Sequence, residues 1–288
     1  MSGVDGMRRK TVLVTGSNRG FGRAIALRLA RDGYDVVVHC RRDVARAEAV
    51  AEEARALGAR ALVEAADLED PAAIDRLFDR VAAEYGRLDA FVANAAATAF
   101  LPTLAMKPHH IDRTFGLNVR GFVLSVQRAV ALMPEEGGGR IVAISGYGSI
   151  RYLPGYAAMG AAKAALERWV SYLAVELAPR GIAVNGINPG CADTASAEVY
   201  FTRAGSEPQA EVARRTPMGR LTRAEDVAGV AAFLLSDDAA FICGQTIVVD
   251  GGLTLVVPPF ADAGTLEDAA WGRRPRRAEA ALASSEAP

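Results

Sequence analysis

The stretch Thr15-Gly16-Ser17-Asn18-Arg19-Gly20-Phe21-Gly22 decides the fold. It closes an apolar, β-branched run, Thr11–Thr15, and opens a helical pattern that continues to residue 32. Glycines between a strand and a helix let the backbone approach a pyrophosphate closely. The helix N-terminus then offers N–H donors and a positive dipole. A glycine-rich turn alone is a weak signal, but its place after the first strand of a strand–helix–strand unit strengthens it. Gly16, Asn18, Arg19, Gly20 and Phe21 are therefore candidate cofactor contacts.

Outward from this turn, apolar runs alternate with helical patterns as far as residue 250. The runs Thr11–Thr15, Asp35–Cys40, Ala61–Ala66, Leu88–Asn94, Arg140–Ser145, Ile182–Asn188 and Thr246–Asp250 read as strands. Their continuous hydrophobicity suits a parallel sheet covered on both faces. Helical patterns fall near 20–32, 43–57, 71–85, 109–133, 156–178 and 223–236. The alternation predicts a single-domain α/β fold over residues 1–257. Its core is a doubly wound, Rossmann-type sheet of seven parallel strands with helices on both faces. Residues 191–222 interrupt the pattern after a strand end and read as a substrate lid. Residues 258–288 form a Pro-, Ala- and Arg-rich extension, expected to be partly disordered beyond about residue 270.

Composition narrows the function. The chain has 288 residues, is 51% apolar and carries a net charge of −1, which gives no electrostatic case for nucleic acid or an anionic membrane. No leader-like start and no long apolar run is present, so a cytoplasmic protein is expected. Cys40, Cys191 and Cys243 are scattered and read as free thiols, and with His39, His109 and His110 they form no metal motif. Lys10, Lys107 and Lys163 are the only lysines in an arginine-rich chain. Lys163 is conspicuous, because a compact ammonium with rotatable donors is something arginine cannot imitate.

The second strand ends His39-Cys40-Arg41-Arg42, where a site for NAD would place a carboxylate for the ribose 2′-hydroxyl. Arginines suit a 2′-phosphate instead, so Arg41, with Arg19, points to NADP(H). The alternative is that Arg41 and Arg42 are solvated surface charges. Asp67, before Leu68, can accept from an adenine amino group or can serve helix entry ahead of Pro71. Asn94 and Ala95 end the fourth strand among small residues that leave room for a cofactor.

These motifs together resemble the short-chain dehydrogenase/reductase family over about residues 9–257. Thr15–Gly22 resembles its glycine loop and Asn94-Ala95-Ala96-Ala97 its Asn-Asn-Ala-Gly element. Asn118 matches its helix-bending asparagine. Asn188-Pro189-Gly190 with Thr194 is similar to its nicotinamide-side loop, and Asp250-Gly251-Gly252 to its C-terminal signature. Two positions depart from the pattern. The usual tyrosine, four residues before the lysine, is Met159, and the usual serine is Gly146, with Ser145 adjacent. Tyr156, seven residues before Lys163, takes the spacing of enoyl-thioester reductases, and Ser145–Pro179 resembles the enoyl-ACP reductase III type. The stretches Asn94–Phe100, Pro108–Asp112, Ser145–Ser149 and Val248–Gly264 narrow the resemblance to reductases of 1-cyclohexenylcarbonyl-CoA.

The displaced tyrosine has a chemical rationale. Residues seven apart on a helix differ by about 20° from whole turns, so Tyr156 can share a face with Lys163 if the helix starts early enough. It then lies roughly 4.5 Å further along the axis than a tyrosine at 159. In enoyl reduction the hydride goes to the β-carbon, and charge develops on a thioester oxygen three bonds away, so the donor must move with that oxygen. The expected catalytic residues are Tyr156, donating to the enolate oxygen, and Lys163, lowering the tyrosine pKa and holding the cofactor ribose. Tyr156 alone reads better as a helix-entry aromatic after Pro154-Gly155; with Lys163 and the glycine loop in register, catalysis is the favoured reading. Tyr147, Met159, Phe100 and Phe201 are candidate substrate contacts, each equally at home in packing. The alternatives to an NADPH-dependent enoyl-CoA or enoyl-ACP reductase are a 3-oxoacyl or polyketide ketoreductase and a non-catalytic cofactor-binding regulator. The resemblance also implies a homotetramer.

Overall fold

The computed structural model describes residues 9–135, 137–203 and 209–256. Seven parallel strands run in the order β3-β2-β1-β4-β5-β6-β7. They are β1 (Lys10–Val14), β2 (Tyr34–Cys40), β3 (Ala61–Ala65), β4 (Ala90–Ala93), β5 (Arg140–Ile144), β6 (Ala183–Asn188) and β7 (Thr246–Val248). Nine helices lie among the described residues: α1 (Gly20–Arg31), α2 (Val44–Ala56), α3 (Pro71–Tyr85), α4 (Pro108–Phe115), α5 (Gly121–Leu132), α6 (Ala157–Leu177), α7 (Ala195–Arg203), α8 (Gln209–Arg215) and α9 (Ala224–Leu235). The doubly wound sheet is as expected, with strand ends displaced by one or two residues.

Strand periodicity divides the core between two faces. Val12, Val14, Val36 and Val38 point to the face covered by α1, α2 and α9. Leu13, Val37, Phe91 and Ile141 point to the opposite face, against α3, α5 and α6. Both faces are dry, which is why the strands read as unbroken apolar runs. Helix entries follow local chemistry. Asp43 caps α2 by accepting from Arg46 N at 3.1 Å, and Asp70 caps α3 by accepting from Ala72 N at 3.0 Å, ahead of Pro71 at the first helical position.

Two differences from the expected elements matter. The helix read over 109–133 is two helices joined by a π-helical turn, Gly116–Arg120, which contains Asn118. The lid region contains α7 and α8 rather than irregular chain. The extension 258–288, including the end of the stretch Val248–Gly264, lies outside the described residues. No described helix is long and apolar enough to cross a membrane.

Because β1 lies between β2 and β4, the direction of winding reverses at β1. The crevice outside the carboxyl ends of β1 and β4 is where such sheets bind ligands. Thr15–Gly22, Asn94 and the β5–α6 connection all open there.

Candidate active site

The glycine loop is built by its own backbone and by distant residues. Gly16 and Gly20 have φ of +64° and +56°, which an L side chain resists. Gly22 is needed for a different reason. A Cβ there would overlap Gly16 O and the Asn94 amide and lie 2.8 Å from Ser17 Cα, so α1 packs on the loop only because nothing projects from residue 22. Thr15 Oγ1 accepts from Asn94 N at 2.9 Å and Ala95 N at 3.1 Å. Asn94 Nδ2 donates to Thr15 O and Gly16 O at 2.9 and 3.1 Å. The side chain of Asn94 therefore ties β4 to the loop.

The loop fits a dinucleotide. No side chain caps the N-terminus of α1, its first turn holds no acidic residue, and the space beyond Gly20 is open. Unfilled N–H groups at such a terminus suit a pyrophosphate. Asn18 is half-buried and Arg19 exposed on this loop, whereas Phe21 turns inward and packs against the α1–α9 core. Arg41 is exposed, with one guanidinium nitrogen 3.8 Å from Glu69 Oε1. Asp67 accepts from Glu69 N at 3.1 Å, and the helix cap is Asp70, so Asp67 is not the cap of α3. Leu68 is buried beside it, and its carbonyl lies under Gly121 at the start of α5.

On the other side of the crevice, Tyr156 is the N-cap of α6, not a residue within it. The shared-face geometry expected from a helix starting at Tyr156 is therefore replaced. The last turn before the helix, with φ −106° and ψ 4° at Tyr156, aims the ring back over the β5–α6 connection. A Cβ on Gly146 would lie 3.8 Å from Tyr156 Oη and 4.0 Å from Lys163 Cγ. The phenol and the lysine stem thus meet above Gly146. A Cβ on Gly148 would stand 2.5 Å from Tyr156 Cδ1, so the ring rests directly on the Gly148 backbone. Phe100 stacks on the ring at 5.6 Å and 19°, and Tyr200 meets it edge-on at 5.3 Å and 85°.

Tyr200, on α7, carries no motif that marks it in the sequence. It is buried, its hydroxyl donates to Pro154 O at 3.1 Å, and its ring also contacts Phe100 at 5.2 Å. Phe201 touches Tyr200 at 5.5 Å. The adjacent pair Tyr200-Phe201 inside a lid was the available signal. Tyr147 is half-buried on the same connection, and Met159 is buried on α6.

Lys163 is buried and donates from Nζ to Ile144 O at 2.6 Å. Burial pushes its pKa down to about 8, partly opposed by Glu167 one turn later. Tyr156 moves the other way from the direction expected beside a cation. Burial, then Tyr200 and Cys191, pushes it up to about 12. The phenol stays protonated at neutral pH and is a donor.

Ser145 does not stand in for the missing serine. Its hydroxyl donates to Glu167 Oε1, as does that of Ser149 at 2.6 Å. Asn188 completes the group, donating to Gly146 O at 3.1 Å and to Ser149 Oγ at 3.0 Å while accepting from Gly190 N at 3.2 Å. Pro189 is buried in this loop, and a Cβ at Gly190 would overlap the Asp250 side chain. Asp250 in turn accepts from Gly252 N and Thr254 N at 2.9 and 2.7 Å. Thr194 accepts from Ala197 N at 3.2 Å and so caps α7. Asn118 donates to Ala97 O and Thr114 O, while its Oδ1 is buried without a protein partner. No group of three or more His, Cys, Asp or Glu among the described residues is placed to hold a metal.

Residues 16–254 match a family model described as enoyl-(acyl carrier protein) reductase. The chain is 48% identical over 258 residues to 1-cyclohexenylcarbonyl-CoA reductase of Streptomyces collinus, covering 89% of this chain and 91% of that one. It is 34% identical over 244 residues to a 3-oxoacyl-[acyl-carrier-protein] reductase of Staphylococcus aureus, covering 85% and 98%. Among solved structures it is similar to YwfH, an NADPH-dependent reductase involved in bacilysin biosynthesis, with a TM-score of 0.82, 29% identity and coverage of 87% and 100%. With the sheet order and glycine loop, these matches establish that the chain belongs to the short-chain dehydrogenase/reductase family of nicotinamide-dependent oxidoreductases.

Proposed function

We propose that the protein reduces the carbon–carbon double bond of an α,β-unsaturated acyl thioester with NADPH. The observation that carries this reading is the Tyr156 hydroxyl over Gly146 beside the Lys163 stem, with Met159 buried where a ketone reductase of this family keeps its tyrosine. The bound cofactor supplies hydride, which goes to the β-carbon. Tyr156, kept protonated by a burial that raises its pKa, donates to the oxygen of the enolate that develops three bonds away. Lys163, anchored by Ile144 O, would hold the cofactor ribose and supply positive charge to the site. Arg41 and Arg19 favour the 2′-phosphate, and Asp67 the adenine. Phe100 and Tyr200, with Tyr147 at the rim, wall an apolar acyl group, and the 48% relative supports a cyclohexenylcarbonyl thioester.

Purified protein incubated with NADPH and 1-cyclohexenylcarbonyl-CoA, crotonyl-CoA or acetoacetyl-CoA tests the reading. NADPH consumption with an enoyl thioester and not with the ketone is expected. Consumption with acetoacetyl-CoA alone replaces it with ketone reduction, the reaction named for the 34% relative. No turnover on any of the three thioesters favours a regulator.

For the assembly, we favour a homotetramer packed through the outer faces of α4, α5 and α6. A groove of about 520 Å³ lies there beside Phe115, Val119, Val123 and Trp169. Tyr172 and Val175 of α6 are also exposed. Light scattering giving a monomer mass removes this assignment.

A further inference from the structure

His39 is buried near the end of β2, and neither of its ring nitrogens takes part in the chemistry above. Gly16 N donates to Nδ1 at 3.0 Å, and Nε2 lies 3.1 Å from Ala66 O. A backbone N–H only donates and a carbonyl only accepts. The two bonds therefore fix one tautomer: a neutral imidazole with its proton on Nε2. Burial lowers the pKa to about 4, against smaller opposing effects of Ala66 O and Asp67, so this neutral form holds at neutral pH. The His39 backbone strengthens the tie. Its N–H donates to Ser17 Oγ at 3.0 Å and its carbonyl accepts from Ser17 N at 2.9 Å, while Ser17 Oγ donates to Val14 O at 2.7 Å.

One residue thus links three elements that face the dinucleotide. Gly16 belongs to the loop under the pyrophosphate, Ala66 precedes Asp67 and Leu68, and Arg41 follows His39 by two residues. The Gly16 amide is committed to the ring, which leaves the pyrophosphate to the uncapped N-terminus of α1.

We infer that His39 is a positioning residue for the dinucleotide, whose neutral ring holds the glycine loop and the end of β3 at the separation the bound cofactor requires. The inference rests on the family's cofactor and not on which acyl group is reduced.

Two substitutions separate the two ring bonds. In His39→Asn the amide oxygen stands near the Nδ1 position and accepts from Gly16 N but does not reach Ala66 O. In His39→Gln the amide nitrogen stands near Nε2 and donates to Ala66 O but leaves the buried Gly16 N–H unpartnered. Fluorescence titration is expected to give a Kd for NADPH about tenfold weaker in His39→Gln and about threefold or less weaker in His39→Asn, because a loop whose Gly16 N–H lacks its partner relaxes in the free protein and must be restored to its place on binding. At saturating NADPH, kcat stays within about twofold of the parent in both, because a positioning loss is recovered on binding. An unchanged Kd in His39→Gln, or an Asn variant weaker than the Gln variant, overturns the inference, even where Tm falls. If neither variant folds, amide exchange in the parent protein decides. The Gly16 N–H is expected to be protected before NADPH is added and no more protected after it. Free exchange without cofactor overturns the assignment.

Discussion

On the cofactor side of the crevice, Gly16 is held by hydrogen bonds to His39 and Asn94. On the substrate side, Tyr156 is held by rings and by the absence of a side chain at Gly148. The first arrangement is directional: each donor meets one acceptor, and removing either partner leaves a buried orphan. The second is a matter of shape: the Tyr156 ring sits between Phe100, Tyr200 and the Gly148 backbone, and α7 supplies one of those walls. A loop that binds the same dinucleotide each turnover suits a fixed lattice of bonds. On the proposed reading, a pocket that admits and releases an acyl group suits a wall carried on a separate helix.

The largest expected effect tests the substrate side. Tyr156→Phe keeps the ring contacts with Phe100 and Tyr200 and removes only the hydroxyl over Gly146. We expect kcat on the enoyl thioester to fall by about 10³-fold, the range for loss of a general acid or an oxyanion donor, with NADPH affinity unchanged. Stopped-flow turnover and cofactor titration on the same preparation measure both. A fall below about tenfold removes Tyr156 from the chemistry.

The next effect tests the cofactor side through pH. The folded-state pKa of His39 is lowered from 6.5 to about 4. As pH falls below about 6.5 the unfolded chain takes up the proton first, so stability that is complete above that value is lost progressively toward pH 4. The loss amounts to roughly 3 kcal/mol across the window, at about 1.4 kcal/mol for every tenfold difference in proton affinity between the folded and unfolded chains. Urea titrations at pH 7.5 and 4.5 on the parent and on His39→Gln isolate it, because the variant lacks the titrating group. Equal pH dependence in the two proteins contradicts the buried neutral imidazole.

Gly148→Ala tests the shape argument against its neighbour. The new methyl would stand 2.5 Å from Tyr156 Cδ1, so the ring must move. At Gly146 the added methyl finds only ordinary contacts at 3.8 and 4.0 Å, and φ there is −173°, which any residue adopts. Overpacking of this kind costs on the order of 2 kcal/mol, or roughly thirtyfold in turnover if it falls on the ring position. Gly146→Ala is expected to stay within about threefold. Parallel kcat/KM and Tm measurements read the pair, and equal losses at the two positions contradict a ring bedded on Gly148.

How much of this was legible in the sequence follows the same division. The sheet and the glycine loop were readable because their causes are local: β-branched runs buried on both faces, and glycines where φ is positive or α1 presses on the loop. The two-part helix was legible only through the resemblance, with Asn118 as a helix-bending asparagine; periodicity alone read 109–133 as one helix and did not show the π-helical turn Gly116–Arg120. Ser145 looked available because it adjoins Gly146, yet Glu167, 22 residues on, claims its hydroxyl. Tyr200 reaches Pro154 across 46 residues, and His39 reaches Gly16 across 23. No local pattern encodes such contacts, because they exist only once the sheet has brought the segments together.

The smallest expected effect concerns the outer edge of the cofactor side, where neither tight bonds nor packing operate. Arg41 is exposed and lies 3.8 Å from Glu69 Oε1, a carboxylate also approached by Arg113 Nε at 3.3 Å. An exposed pair of this kind adds little to stability, so Arg41→Asp should leave Tm within a degree or two. On the proposed reading, its value lies in the charge it offers a 2′-phosphate, while the introduced carboxylate suits a 2′-hydroxyl instead. The preference for NADPH over NADH, measured as the ratio of kcat/KM values, is expected to fall by about tenfold, equivalent to roughly 1.4 kcal/mol. Water and Glu69 both screen the guanidinium, which keeps the effect below that of the buried groups. An unchanged ratio makes Arg41 a solvated surface charge and leaves Arg19, on the glycine loop, as the arginine to test next.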